Sequence, residues 1–410
     1  MEEIKIPWAS WYGDTVKKLP ITNNWNISIC NIQDSEKLNK KDITNSFKNP
    51  IGMDKISNIA KNKKKILILI DDLTRRTPTR LILPHILEEL NQANISDEYV
   101  SILVATGAHR PLNRIDLIKK IGKKNITRYK ILNHNPYDNL LFIGKSSSET
   151  PIYINKFLMN ADFKIAIGSI LPHYNTCFSG GCKIVVPGCA GIKTIIANHK
   201  IKPEHSLKDI LSTNNNRCRK DIEEIAMKVG LDFIVNIVPN SRYEIAGIFS
   251  GHPIQAHREG VKFACKVLDT RLPFTSDVAI FNNYPEDTEL TQLLKSLNIY
   301  FSTNERFIRE DGIIIIISAC SEGAGVHNLY QKGMPMYYDW SNFLKDLLNK
   351  RRVIIYTPDL NEYDVREYFS EKIEIYSQWN DIVKKVNDYY NHKEINVNLF
   401  PVGPIQLVSR

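Results

Sequence analysis

Long apolar runs are missing from this chain. The longest, Ile313 to Ile317, is far shorter than the ~20 residues of a bilayer-spanning helix, which argues against a membrane protein. Cysteine is scarce and odd in number, seven residues at irregular spacing with no CxxC pair. That excludes a disulfide framework and fits a reducing compartment. Cys177, Cys182 and Cys189 are therefore expected as small buried side chains rather than zinc or iron–sulfur ligands. The opening MEEIKIPWAS has neither a basic n-region nor an apolar h-region, so no secretory leader is expected and the chain reads as soluble and cytoplasmic. Internal repeats and low-complexity tracts are also missing.

Acidic residues fall short of basic ones, leaving a formal charge of +9, and a basic chain raises nucleic-acid binding as a function. The basic runs are Lys61 with Lys63-Lys64-Lys65, and Lys119-Lys120 with Lys123-Lys124. None is interleaved with stacking aromatics. They read as solvated surface, and no nucleic-acid partner is expected.

With 410 residues and 43% hydrophobic content, the chain can bury a sizeable core and suggests more than one domain. Residues 1–60 say least, with short strands expected around Trp25 to Ile32. Ile66 to Ile70 is the continuous apolar run of a parallel strand buried on both faces, ending at Asp71-Asp72. A helix is expected over Thr79 to Asn91, a strand over Val100 to Ala105, and a helix over Asn113 to Ile121 capped by Asn113. Residues 200–216 read as a polar rim loop. Helices are expected over Arg217 to Val229 and Pro253 to Leu268, and strands over Asp232 to Ile237 and Tyr243 to Phe249.

A domain boundary falls at Thr270 to Ser276, giving an N-terminal domain 1–269 and a C-terminal domain 270–410. The second strand series runs through Val278 to Phe281, Ile313 to Ile317 and Val353 to Tyr356. Alternating strands and helices predict two α/β domains with mostly parallel sheets. Asp72, Arg75, His109 and His173 all follow strand ends and so share one rim. Arg75 could clamp a carboxylate there or pair internally with Asp71 or Asp72.

The densest stretch is Gly168 to His199, GSILPHYNTCFSGGCKIVVPGCAGIKTIIANH. It leaves a strand-like run, Phe163 to Ile167, where open α/β sheets bind ligands. Ser179-Gly180-Gly181 ahead of the helix-compatible Lys183 to Val186 reads as an anion cradle for a phosphate, or as a plain glycine turn. Lys183 could reach that anion as a charge or act as a nucleophile. His173 and His199 could each move a proton or ligate a metal.

Pro172-His173, Phe178 to Gly181, Lys183, Pro187-Gly188, Gly191 and Asn198-His199 together resemble the nickel-dependent lactate racemase family. So do Asp71 to Arg75, Ala105 to Arg110, and Tyr284 to Lys295. The resemblance implies a racemase or epimerase of 2-hydroxy acids carrying nickel in a pincer cofactor, a pyridinium-3,5-bisthiocarboxylic acid mononucleotide. It implies a covalent thioamide on Lys183, nickel coordination by His199, and acid–base catalysis by His109 and His173. It further implies that Asp72, Thr106, Gly107, Ser179, Gly180, Gly181 and Pro187 surround the cofactor in the N-terminal domain. Arg75, Tyr284, Gln292 and Lys295 would bind substrate, with the active site in the cleft between the domains. Proteins that synthesise the cofactor would be partners; the oligomeric state is left open.

Inverting C2 as a hydride transfer leaves a planar 2-oxo acid, and because the hydroxyl lies on opposite sides in the two enantiomers, two bases are needed. Cys177 stands where the family pattern has glycine and Cys182 where it has proline, while Tyr174-Asn175-Thr176 is more polar than expected. These departures point to lactate or to a larger, more polar 2-hydroxy acid. Two other classes compete: a nicotinamide-dependent dehydrogenase, which lacks its GxGxxG turn here, and a catalytically silent metabolite binder, which has little need of Lys183 and three histidines.

Overall fold

The computed structural model describes residues 2–201, 213–272, 274–303, 307–366, 368–369 and 372–408. The rim loop expected over 200–216 lies mostly outside the described residues. The chain divides into two units, Ser35–Val267 and a second built from Met1–Asp34 with Leu268–Arg410.

The first unit is organised on a six-stranded sheet. Its strands run across the sheet as Ile245–Gly251, Phe233–Pro239, Phe163–Ser169, Ile66–Asp71, Val100–Ala105 and Lys130–Asn133. All neighbours are parallel except the first pair. Ile66 to Asp71 and Phe163 to Ser169 are buried at every position, which is what helices on both faces of a parallel sheet demand of sequence. Numbered in chain order the strands read 6-5-4-1-2-3, the doubly wound order, and such sheets bind ligands where the order reverses. That switch point lies between Ile66–Asp71 and Phe163–Ser169.

The helix Arg114–Ile121 starts as its sequence predicts. Asn113 Oδ1 accepts from the Ile115 and Asp116 amides at 2.8 and 3.0 Å, and Asp116 Oδ2 accepts from the Asn113 amide at 3.0 Å.

The second unit holds an all-parallel six-stranded sheet in the order Glu374–Tyr376, Arg352–Tyr356, Ile308–Ile317, Ser276–Asn282, Ile395–Phe400 and Trp25–Ile29. Along its central strands adjacent residues go to opposite cores. Ala279, Phe281, Ile314 and Ile316 join one cluster, and Val278, Ile280, Ile313, Ile315 and Ile317 the other.

The expected domain 1–269 differs from this division at its start. Residues 1–34 belong with 268–410 because Trp25–Ile29 pairs with Ile395–Phe400, and the hairpin Glu2–Trp8/Thr15–Ile21 places Ile4, Ile6, Trp8, Leu19 and Ile21 in the core holding Val278 and Ile280. Pairing across the whole length of the chain leaves no local trace in sequence.

After Ser276–Asn282 the chain forms a 3-10 helix, Leu290–Leu297. With about three residues per turn, Gln292 and Lys295 share one face.

Candidate functional site

The strand Ile66–Asp71 delivers two carboxylates to the switch point, and burial forces each to find a partner. Asp71 Oδ1 meets the fully buried Lys120 Nζ at 2.5 Å, and its Oδ2 accepts from Thr77 Oγ1 at 2.5 Å. Lys120 also donates to the carbonyls of Asp72 and Arg75 at 3.0 and 2.8 Å, so one ammonium shapes the loop after the strand. Lys120 is therefore not the solvated surface charge expected. Its neighbours Lys123 and Lys124 are exposed. Burial pushes the Asp71 carboxyl up, and the Lys120 charge opposes it.

Asp72 Oδ1 accepts from the Thr74 amide and hydroxyl at 2.9 and 2.5 Å, and Oδ2 lies 2.8 Å from His109 Nδ1. Burial alone would raise this carboxyl. The His109 ring, its hydrogen bond, Thr74 and the Arg75 charge together hold it well below the usual carboxylate range. Asp72, expected beside the cofactor, thus spends both oxygens within the protein, orienting His109. The Arg75 guanidinium donates to Thr74 O at 3.0 Å and Thr74 Oγ1 at 3.1 Å, and its charge acts on Asp72.

The turn after Val100–Ala105 carries His109, whose amide closes on Thr106 O at 2.9 Å. Thr106 Oγ1 donates to His134 O at 3.0 Å. Gly107 has φ +55°, its amide donates to Gly188 O at 3.0 Å, and a Cβ there would sit 3.4 Å from Pro187 O. The two glycine-bearing loops thus lean on each other, bringing Gly107 and Pro187 together.

Beyond Phe163–Ser169, His173 sits in the short hairpin Pro172–His173/Cys177–Phe178. Its Nδ1 accepts the Asn175 amide at 3.2 Å and its Nε2 lies 3.3 Å from Lys183 Nζ. Lys183 stands in a 3-10 turn, Gly181–Ile184, rather than the start of an α-helix.

In the Ser179-Gly180-Gly181 turn, expected as a phosphate cradle or a plain glycine turn, three nearby amides are bonded within the protein. The Ser179 amide donates to Leu171 O at 2.8 Å, the Gly181 amide to Asn236 Oδ1 at 2.6 Å, and the Lys183 amide to Gly180 O at 3.3 Å. What demands glycine is close packing: a Cβ on Gly180 (φ +75°) would lie 2.9 Å from Asn236 Oδ1, and one on Gly181 (φ +58°) 2.9 Å from the His257 ring. The turn is gripped from behind by buried groups the sequence did not advertise. Arg219 NH1 donates to Gly180 O at 3.1 Å, and His257 Nε2 donates to Ser179 O at 2.9 Å. Arg219, Arg258 and Glu223 form one ion-paired cluster beneath it. No local pattern marks these residues, which lie 39 or more positions from their partners.

His199 ends the helix Ile192–His199, and its Nδ1 donates to Ile195 O at 2.8 Å. Burial, with the charges of Lys183 and His109 nearby, pulls this imidazole down to about 4. It is a neutral ring at neutral pH with its Nε2 lone pair available, the form a metal ligand takes. His109, His173, Lys183 and His199 therefore share one neighbourhood: Lys183 touches His173, and His199 feels both Lys183 and His109. The cysteines around them are free thiols. Cys177, Cys182 and Cys189 are buried, and burial pushes Cys182 up to about 12. Among the described residues no group of three or more His, Cys, Asp or Glu side chains would hold a metal.

The expected substrate residues of the second unit cluster at the end of Ser276–Asn282. Lys295 pairs with the buried Glu286 at 2.6 Å, Gln292 Nε2 donates to Glu289 Oε1 at 3.2 Å, and Tyr284 OH donates to Asp14 Oδ1 at 3.3 Å. Beside them Asp287 accepts the Ala9 and Ser10 amides at 2.9 and 3.1 Å, and burial raises it to about 6.

Residues 12–208 match the lactate racemase N-terminal domain. A lactate racemase of Thermoanaerobacterium thermosaccharolyticum is 32% identical over 75% of this chain and 71% of its own length. One of Lactiplantibacillus plantarum is 34% identical over 76% and 73%. Among solved structures, the lactate racemase apoprotein of T. thermosaccharolyticum superposes with a TM-score of 0.75, 25% identity and full coverage of both chains. A Thermotoga maritima protein shares the fold at a TM-score of 0.67 and 18% identity, over 92% of this chain and 99% of that one.

Proposed function

The chain belongs to the lactate racemase family, and we propose that it inverts C2 of a 2-hydroxy acid by reversible hydride transfer, with His109 and His173 handling the hydroxyl proton. The observation that carries the reading is the gathering of His109, His173, Lys183 and His199 at the switch point of one parallel sheet, with complementary hydrogen bonding on the two catalytic histidines.

The residues suit a nickel-pincer mononucleotide. His199 offers a neutral Nε2 to the metal, Lys183 an amine for the thioamide, and a single protein ligand leaves the remaining coordination to the organic group. When bound, that group would take the C2 hydrogen as a hydride and return it to either face.

The Asp72 carboxylate keeps the His109 proton on Nδ1, so Nε2 is a base for the substrate hydroxyl. On His173 the Asn175 amide occupies Nδ1, so the ring proton sits on Nε2 as an acid. A hydroxyl deprotonated by one ring is reprotonated by the other after C2 inverts, and the rings exchange roles for the opposite enantiomer. Each is worth about 10²–10⁴-fold in rate. Arg75 supplies the cation of this unit for the substrate carboxylate, and Tyr284, Gln292 and Lys295 are proposed as substrate residues on the family resemblance. Proteins that build and load the cofactor would be partners. The exposed Tyr174 and half-buried Asn175 beside His173 favour an acid larger or more polar than lactate.

The test is to incubate purified, cofactor-loaded protein with enantiopure 2-hydroxy acids. Loss of optical activity without added nicotinamide is expected. Net oxidation that depends on nicotinamide, or no turnover of any acid, would overturn the reading.

A further inference from the structure

The hairpin that presents His173 is unusual at its closing position. Its register sets His173 opposite Cys177 across the three-residue loop Tyr174–Thr176, and Cys177 has φ +61°. Left-handed backbone is normally left to glycine, because a Cβ strains that conformation. A cysteine there needs support from outside the hairpin.

That support comes from Asn216, the residue preceding the helix Arg217–Val229. Its Oδ1 accepts the Arg219 amide at 2.8 Å and so caps the helix. Its Nδ2 turns the other way, donating to Asn175 O at 3.0 Å and to Cys177 Sγ at 3.6 Å. The residue whose carbonyl is held in this manner is also the one whose amide, in the preceding peptide unit, meets His173 Nδ1 at 3.2 Å. A continuous series of hydrogen bonds thus runs from the helix terminus through Asn216 and Asn175 to the imidazole, whose far nitrogen lies 3.3 Å from Lys183 Nζ.

We propose that Asn216 is a positioning residue for His173: by clasping Asn175 and Cys177 it holds the Asn175 amide on Nδ1 and fixes the ring proton on Nε2. The proposal rests on the reading of His173 as an acid–base residue. Asn216 reaches the reaction only through the ring, and it compensates for the missing glycine at position 177.

Two substitutions separate this clasp from simple helix capping. Serine caps as well as asparagine but is too short to reach Asn175 O, whereas alanine does neither. In the full chain labelled with ¹⁵N-histidine, carrying Lys183→Met so that no ammonium competes for Nε2 and with His173 assigned by its absence in His173→Gln, the ring beside Asn216 is expected to show an Nε2–H tautomer with Nδ1 accepting. Asn216→Ser should keep a melting temperature within about 4 °C of wild type. It should nonetheless shift the ring to an average of both tautomers in that background and, with Lys183 in place, lower kcat about 10-fold with KM unchanged. An unchanged His173 spectrum in Asn216→Ser, with a change only in Asn216→Ala, would show that Asn216 merely caps the helix and would overturn the proposal. The spectrum is read without turnover, so it stands or falls apart from the racemase reading.

Discussion

Replacing Asp72 with asparagine tests how the site makes a base. The carboxylate accepts three protein hydrogens, two from Thr74 on Oδ1 and one from His109 Nδ1 at 2.8 Å on Oδ2. An amide has one accepting oxygen and two hydrogens to place. If its oxygen stays with Thr74, its NH2 faces His109 Nδ1, which must then accept, moving the ring proton to Nε2 and removing the lone pair that takes the substrate proton. If instead the oxygen turns to His109, the NH2 meets the Thr74 amide and leaves a buried donor unpaired, at about 1–3 kcal/mol. The wrong tautomer abolishes most of the general-base contribution, so kcat is expected to fall about 10²–10⁴-fold. KM should change little, because Asp72 spends its oxygens within the protein. Initial rates of racemisation, followed by polarimetry across the pH range, provide the assay. An Asp72→Asn enzyme within threefold of wild type would refute the tautomer argument.

Lys120→Met should destabilise the fold by about 3–5 kcal/mol in urea denaturation by stranding the buried Asp71 carboxylate, with most of that recovered in Asp71→Asn/Lys120→Met; a loss under 1 kcal/mol would contradict the ion-pair reading. Gly181→Ala, whose methyl would meet the His257 ring at 2.9 Å, should cost more in thermal melts than Gly230→Ala, where φ is +75° but the nearest atom is Lys164 Nζ at 3.6 Å; equal costs would mean that conformation alone, about 1–2 kcal/mol, sets both. Burial holds His134 down at about 4 against 6.5, so the unfolded chain binds the extra proton between those values. The stability contributed is present above pH 6.5 and is lost as pH falls toward 4. Against wild type, His134→Gln should flatten urea-derived stability over that window by about 1.4 kcal/mol per pH unit, and parallel curves would count against it.

What could be read in advance follows from how local each cause is. Ile66 to Ile70, Val100 to Ala105 and Phe163 to Ile167 announce themselves because a strand buried on both faces must be apolar throughout, and Asn113 marks its helix because a cap is a contact over three residues. His109, His173, Lys183 and His199 were legible as chemistry-bearing residues following strand ends or within one dense motif. Lys120 reads as solvated in sequence because nothing within a few residues shows that Asp71, almost 50 positions earlier, closes over it. The glycines of the Ser179 turn were legible as glycines but not in purpose, since Asn236, Arg219 and His257 arrive from three later elements. Trp25–Ile29 joins the far unit for the same reason: its partner strand begins at Ile395.

The most direct test of the central claim follows the C2 hydrogen itself. An enantiopure 2-hydroxy acid carrying deuterium at C2 is racemised in ordinary water, and the isotope content of the inverted product is measured by mass spectrometry. Transfer of the hydrogen as a hydride predicts product that retains its deuterium. Product in which solvent hydrogen has replaced it would mean that C2 is deprotonated, and the assignment of His109 and His173 to the hydroxyl proton would fail.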